Sequence, residues 1–159
     1  MAATGVEFNG ADKEPTMYRH VLAAVETHEE GQPVLARARD LARLFGARLS
    51  VVHVVEYLPV DPAGDALLTT PVDLSRERAT QAEARLREWC QALEIPPEQA
   101  RVAVGTITAE IVRAAQDAGA DLIVVGHHPR RGLAALFSHT EGGVVQRAPC
   151  DVLAVHLNP

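Results

Sequence analysis

From Tyr18 onward the chain alternates short apolar runs with longer stretches whose apolar residues recur every three or four positions. His20–Val25, Leu49–Val55, Leu122–Val125 and Asp151–Leu157 have the length of strands, and Arg101–Gly105 adds a shorter one. Leu122–Val125 is apolar without alternation, the pattern of a strand buried on both faces. Leu49–Val55 is apolar apart from Ser50 and His53. Between the runs, Val34, Ala38, Leu41 and Phe45 recur at helical spacing, as do Ala79, Ala82, Leu86, Trp89 and Leu93.

Turn and capping residues divide these elements. Gly31-Gln32-Pro33 opens the first helix, where the missing amide hydrogen of proline is harmless, and Gly46 supplies the left-handed residue that closes it. Asp73 or Ser75 is expected to cap the second helix, and Pro96-Pro97 to stop it. For the third, Thr108 is the expected N-cap, with Ile107 and Val112 as a hydrophobic staple, and Gly119 ends it near Ala118. A last helix is expected from Thr140 to Arg147, before Pro149. Strand and helix thus alternate through about five strands, which predicts an α/β fold: a Rossmann-like, doubly wound parallel sheet with helices on both faces. Residues 1–16, with Gly5, Gly10 and Pro15 and no periodicity, read as a flexible N-terminal tail ahead of one domain over residues 17–159. The connection Glu56–Val72, carrying Pro59, Pro62, Gly64 and Pro71, is long enough to be functional or mobile.

Composition narrows the partners. The chain has 159 residues, 47% hydrophobic and only 4% aromatic, so its core is built from Val, Leu, Ile and Ala. A formal charge of −6 disfavours nucleic acid and anionic lipid as partners. No apolar run reaches the roughly 20 residues that span a bilayer, and the N-terminus lacks a basic region leading into an apolar one. Two cysteines, Cys90 and Cys150, do not make a disulfide framework. A cytoplasmic location is the expectation.

In such sheets ligands settle beyond the carboxyl ends of the strands. The first strand leads there into Glu26, Thr27 and His28, and the fourth into Gly126, His127, His128 and Pro129, with His139 and Thr140 before the last helix. Here the chain resembles the universal stress protein family along nearly all of its patterned length. The resemblance rests on Tyr18-Arg19-His20-Val21-Leu22-Ala23-Ala24-Val25-Glu26, Leu41-Ala42-Arg43-Leu44-Phe45-Gly46-Ala47 and Val52-His53-Val54-Val55. It continues through Gly105 and its following helix, Ala120-Asp121-Leu122-Ile123-Val124-Val125-Gly126-His127-His128, and Ala148-Pro149-Cys150-Asp151-Val152-Leu153-Ala154-Val155.

The resemblance implies strand order 3-2-1-4-5, a homodimer and a role in stress tolerance or growth arrest. Members that bind ATP carry an Asp at the end of strand one and a glycine loop after strand four, spaced G-x2-G-x9-G before Ser or Thr. Glycines there let backbone amides approach phosphate at a helix N-terminus. This chain has Glu26 in place of that Asp, Gly126 at the first glycine, Pro129 at the second and His139 at the third, with Thr140 retaining a hydroxyl. Proline offers no amide hydrogen and fixes φ. His127-His128 after Gly126 matches instead the UspA-like branch, whose founding members lack the glycine signature. The expectation is therefore no cofactor, with ATP or AMP as the alternative.

Each candidate has a plainer reading. Adjacent histidines seldom aim at one ion, so His127 and His128 are read as structural or solvent-facing and no metal is expected. Arg130 and Arg131 are read as solvated, Thr140 as an N-cap, Cys90 as core packing and Cys150 as inert. For Glu26 both readings stand, ligand-side acid or exposed loop residue. The last strand, at a sheet edge, would leave amides and carbonyls unpaired, which together with the resemblance predicts a homodimer through Asp151–Leu157. Three functions compete. The first is a dimeric regulatory or interaction module without tight ATP binding. The second is a nucleotide-responsive switch containing adenine nucleotide by Glu26, Val54, Gly126 and Thr140, where Val54 matches a strand-two residue that meets adenine in ATP-binding members; Thr27, His127 and His139 complete that candidate set. The third is an enzyme that phosphorylates itself or hydrolyses nucleotide slowly, for which no nucleophile–base pair or metal cluster is visible, so a non-enzyme is expected.

Overall fold

The computed structural model describes residues 17–56, 71–127 and 139–157, with 71–72 and 139–142 as backbone only. The elements run β1 (His20–Ala24), α1 (Gly31–Phe45), β2 (Arg48–Glu56), α2 (Pro71–Ala92), a 3₁₀ turn (Pro97–Gln99), β3 (Ala100–Gly105), α3 (Ile107–Ala118), β4 (Leu122–His127), α4 (His139–Arg147) and β5 (Asp151–His156). All pairings are parallel, in the order β3-β2-β1-β4-β5. Fold class and strand order are as expected. The tail over residues 1–16 and most of the Glu56–Val72 connection lie outside the described residues.

The unbroken apolar runs occupy the middle of the sheet because only there are both faces covered. All five residues of β1 are buried, as are Leu122–Val125 of β4. One core lies between the sheet and α1 and α2, where Val34, Leu35 and Ala38 meet Leu86, Trp89 and Cys90 over Val21, Ala23 and Val124. The other lies beneath α3 and α4, where Ile111, Ala114 and Val144 pack on Leu22, Val52 and Ile123. Gly46 and Gly119 close α1 and α3 in the left-handed conformation, φ 61° and 62°, with their amides returning to the last turn.

Three predicted boundaries are corrected. Helix α2 begins at Pro71, so Asp73 and Ser75 lie inside it rather than capping it. Helix α3 begins at Ile107 with Thr106 at the N-cap, so Thr108 is not the cap and Ile107, already helical, cannot staple to Val112 from outside. The Thr108 side chain instead meets α4: a Cβ added at Gly143 would stand 2.9 Å from its Oγ1. Helix α4 begins at His139, one residue before the expected cap Thr140, which therefore lies in its first turn.

Asp121 ties the amino ends of β1 and β4 together. Its carboxylate accepts from the amides of Arg19 (2.9 and 3.1 Å) and His20 (2.9 Å). Burial alone would raise the pKa of this carboxyl, but the His20 and Arg19 amides outweigh it and hold the value below the usual carboxylate range. His20 itself is 5% exposed. Its Nε2 lies 2.8 Å from Ser50 Oγ, while Nδ1 completes no hydrogen bond among the described residues. Burial, aided by the positive charge of Arg48, lowers its pKa, against the opposing pull of the Ala118 carbonyl and Asp121. As pH falls below an ordinary imidazole value of about 6.5, the unfolded chain takes up a proton that folded His20 resists, so stability is lost. His53 is lowered as well and adds with the same sign. The urea midpoint should therefore fall between about pH 7 and pH 5, and the His20→Asn/His53→Asn variant should show a flatter dependence there. An equally steep profile in that variant would contradict the assignment.

Candidate functional site

At the carboxyl end of β1 the chain leaves the sheet through Val25, whose amide donates to the Val52 carbonyl (2.9 Å). Glu26 and His28 are then exposed and Thr27 half-buried. Helix α1 starts immediately, its Gly31 amide donating to the His28 carbonyl (2.9 Å). Gly31 sits so close beneath the turn that a Cβ there would overlap the Glu26 carbonyl oxygen and lie 3.1 Å from the Trp89 ring. The Glu26–Thr27 turn is thus held by a close approach that only glycine permits.

His53 of β2 points to the same end. Its Nδ1 lies 2.8 Å from the Val25 carbonyl oxygen, which can only accept. The ring proton is therefore on Nδ1, and in the neutral imidazole Nε2 is left as an acceptor. Burial lowers the His53 pKa, against the Val25 carbonyl and Glu26, which pull it up; nearby His28 lowers it further. Beyond His53 opens a groove of about 760 Å³. Thr27, His28 and the end of β2 from His53 to Glu56 form one wall, and Arg78, Gln81, Ala82 and Arg85 of α2 form the other.

Of the residues nominated from sequence, Thr27 and Val54 meet at this groove. Glu26 is exposed next to it without lining it. Gly126 and His127 lie at the end of β4, on the far side of β1. A Cβ at Gly126 would stand 2.9 Å from Leu157 Cδ1 and 3.1 Å from Val34 Cγ2, so this glycine makes room for two core side chains. The His127 carbonyl accepts from the Leu157 amide (2.9 Å), and its ring lies 6.0 Å, centroid to centroid, from that of His156 across the β4–β5 pair. His139 and Thr140 are placed as backbone in the first turn of α4. His128, Pro129, Arg130 and Arg131 lie outside the described residues.

Sequence reasoning missed Arg78, Gln81 and Arg85 as site residues and noted His53 only as an interruption of an apolar strand. It also saw no nucleophile–base pair, whereas Ser50 Oγ and His20 Nε2 stand at the separation of one. That pair lies at the amino end of the sheet, with its imidazole sealed in the core. Burial pushes the Cys90 and Cys150 thiols up, Asp121 and Asp151 adding to the effect at Cys150, which favours unreactive thiols. Among the described residues no three His, Cys, Asp or Glu gather as a metal site, and no helix is long and apolar enough to cross a membrane.

Comparison with known proteins places the chain. A model described as the universal stress protein family matches residues 17–156. Universal stress protein A homolog 1 of Coxiella burnetii is 35% identical over 140 residues, 87% of this chain and 96% of that protein. A universal stress protein of Thermus aquaticus is 32% identical over 140 residues, 87% and 99% of the two chains. Among solved structures, UspA of Lactobacillus plantarum superposes with a TM-score of 0.68 at 23% identity, over 87% of this chain and 97% of that one. A universal stress protein in complex with cAMP superposes with a TM-score of 0.65 at 22% identity, over the same 87% and 97%. At these identities the two structures speak for the fold. The chain belongs to the universal stress protein family, among the homologues of UspA.

Proposed function

We propose that this protein acts in stress tolerance as a cytoplasmic, dimeric regulatory or interaction module rather than as an enzyme, without tight ATP binding. The observation that carries the reading is Gly126. The one glycine retained from the ATP-binding pattern is accounted for by the packing of Val34 and Leu157 against it. Pro129 and His139 stand where that pattern has its other two glycines. A phosphate cradle of backbone amides is poorly served by a residue without an amide hydrogen.

Dimerisation is supported by β5. It is an edge strand, its outer backbone groups have no strand beside them among the described residues, and Leu153 is exposed on it. Pairing of two β5 strands around a two-fold axis would satisfy those groups. Light scattering at micromolar concentration should give twice the 17.1 kDa chain mass. The variant Leu153→Lys, which puts a charge on the edge, should shift the protein toward monomer. A wild-type mass of one chain would contradict the dimer.

The second reading, an ATP- or AMP-responsive switch, is favoured by relatives solved with cAMP and with dAMP, and by Thr27 and Val54 meeting at the groove. Thermal shift against a nucleotide panel separates the two. Concentration-dependent stabilisation by micromolar ATP or AMP supports the switch, and its absence supports the module.

A further inference from the structure

We propose that the groove between β2 and α2 binds a sugar phosphate, with Arg78 and Arg85 holding the phosphate and His53 Nε2 and Glu56 accepting from the sugar hydroxyls. This goes beyond the regulatory reading, which requires no ligand.

The charge argument comes first. The chain carries a net −6, yet the α2 wall of this groove presents two guanidinium groups. They stand seven residues apart on one face of the helix, about 10.5 Å along its axis. Five other arginines are committed to carboxylates: Arg19 to Asp121, Arg39 to Asp40, Arg43 to Glu94, Arg101 to Asp117 and Arg113 to Glu110. Among the described residues Arg78 and Arg85 take no such partner, as is true of Arg37, Arg48, Arg76, Arg87 and Arg147; what sets the two apart is that both line the groove. Their planar donor forks suit phosphate oxygens and have no acceptor capacity of their own.

The opposite wall has complementary chemistry. Because His53 Nδ1 is committed to the Val25 carbonyl, its Nε2 can serve a ligand only as an acceptor while the ring is neutral. Glu56, at the exposed end of β2, is an acceptor when ionised, and Thr27 and Gln81 can accept or donate. A ligand that satisfies both walls is anionic at one end and rich in hydroxyl donors at the other. An unsubstituted phosphate ion would satisfy only the arginines, and a neutral sugar only the acceptors. The groove, at about 760 Å³, has room for both parts. The phosphate would rest on α2, and β1 separates β2, on the groove's other wall, from the end of β4.

Calorimetric titration of the full chain with ribose 5-phosphate, inorganic phosphate and ribose at fixed ionic strength tests the proposal. Ribose 5-phosphate should bind more tightly than inorganic phosphate, and ribose should give no signal. The Arg78→Gln/Arg85→Gln variant should lose roughly tenfold or more in affinity for ribose 5-phosphate, with circular dichroism unchanged because both positions are exposed. Arg78→Lys/Arg85→Lys should retain part of the binding, since charge survives and the fork does not. Equal affinity for inorganic phosphate and ribose 5-phosphate would overturn the proposal. So would an unaltered affinity in the glutamine variant, or no binding by the wild type at millimolar ligand. A dimer mass that persists through any of these results leaves the interaction module standing.

Discussion

Replacing Gly31 by alanine should lower stability by roughly 3 kcal/mol, the upper end of what forced overpacking costs. For a domain of this size that is a fall in Tm of roughly 6–12 °C. The added methyl would overlap the Glu26 carbonyl oxygen and press on the Trp89 ring at 3.1 Å. A flexible side-chain tip could yield at little cost, but a backbone carbonyl at the end of a central strand and a buried indole cannot. The turn carrying Glu26 and Thr27 must shift instead, so the variant should also perturb the groove wall. Urea denaturation checks the magnitude, and a midpoint indistinguishable from wild type would show that α1 starts elsewhere.

Trp89→Ala should cost more, about 4 kcal/mol, as expected for removing a large aromatic side chain from a packed core. Trp89 is 3% exposed and lies in the core shared by α1, α2 and the sheet, beside Leu86 and Cys90. It is also one of the two groups that a residue larger than glycine at position 31 would strike. The two substitutions should therefore be less than additive, because the cavity at 89 relieves one of the two collisions. The collision with the Glu26 carbonyl remains, so the double variant should still be less stable than Trp89→Ala alone. A strictly additive cycle would mean that the ring and the helix start do not touch.

Much of the fold could be read along the chain because its strongest signals are local. Leu122–Val125 is apolar at every position and is buried on both faces. Gly46 and Gly119 sit where a left-handed residue is needed. The errors arose where neighbours in space decide. Thr106 and Thr108 are equally good caps by type, and what distinguishes Thr108 is Gly143 of another helix. Pro71 reads as the end of a loop, but it is the first residue of α2, a place where its missing amide hydrogen costs nothing.

The site was legible only in half. Reading the strand ends found Thr27, since the carboxyl edge of a parallel sheet follows from the order of elements, and the family resemblance added Val54. It could not find Arg78 and Arg85, because no periodicity tells which turns of α2 border the groove rather than open solvent. Gly126 shows the converse. By position it belonged to a phosphate loop, and only the packing of Leu157 and Val34 gives it another purpose.

We propose that Gly126, taken up by the packing of Val34 and Leu157, serves no phosphate loop and that the chain holds no triphosphate there. Calorimetric titration of the full chain with ATP tests this most directly. No saturable micromolar isotherm is expected, with at most the weak association that two exposed arginines can support. Stoichiometric micromolar binding that survives Arg78→Gln/Arg85→Gln would contradict it, because the triphosphate would then be held by something other than the α2 wall.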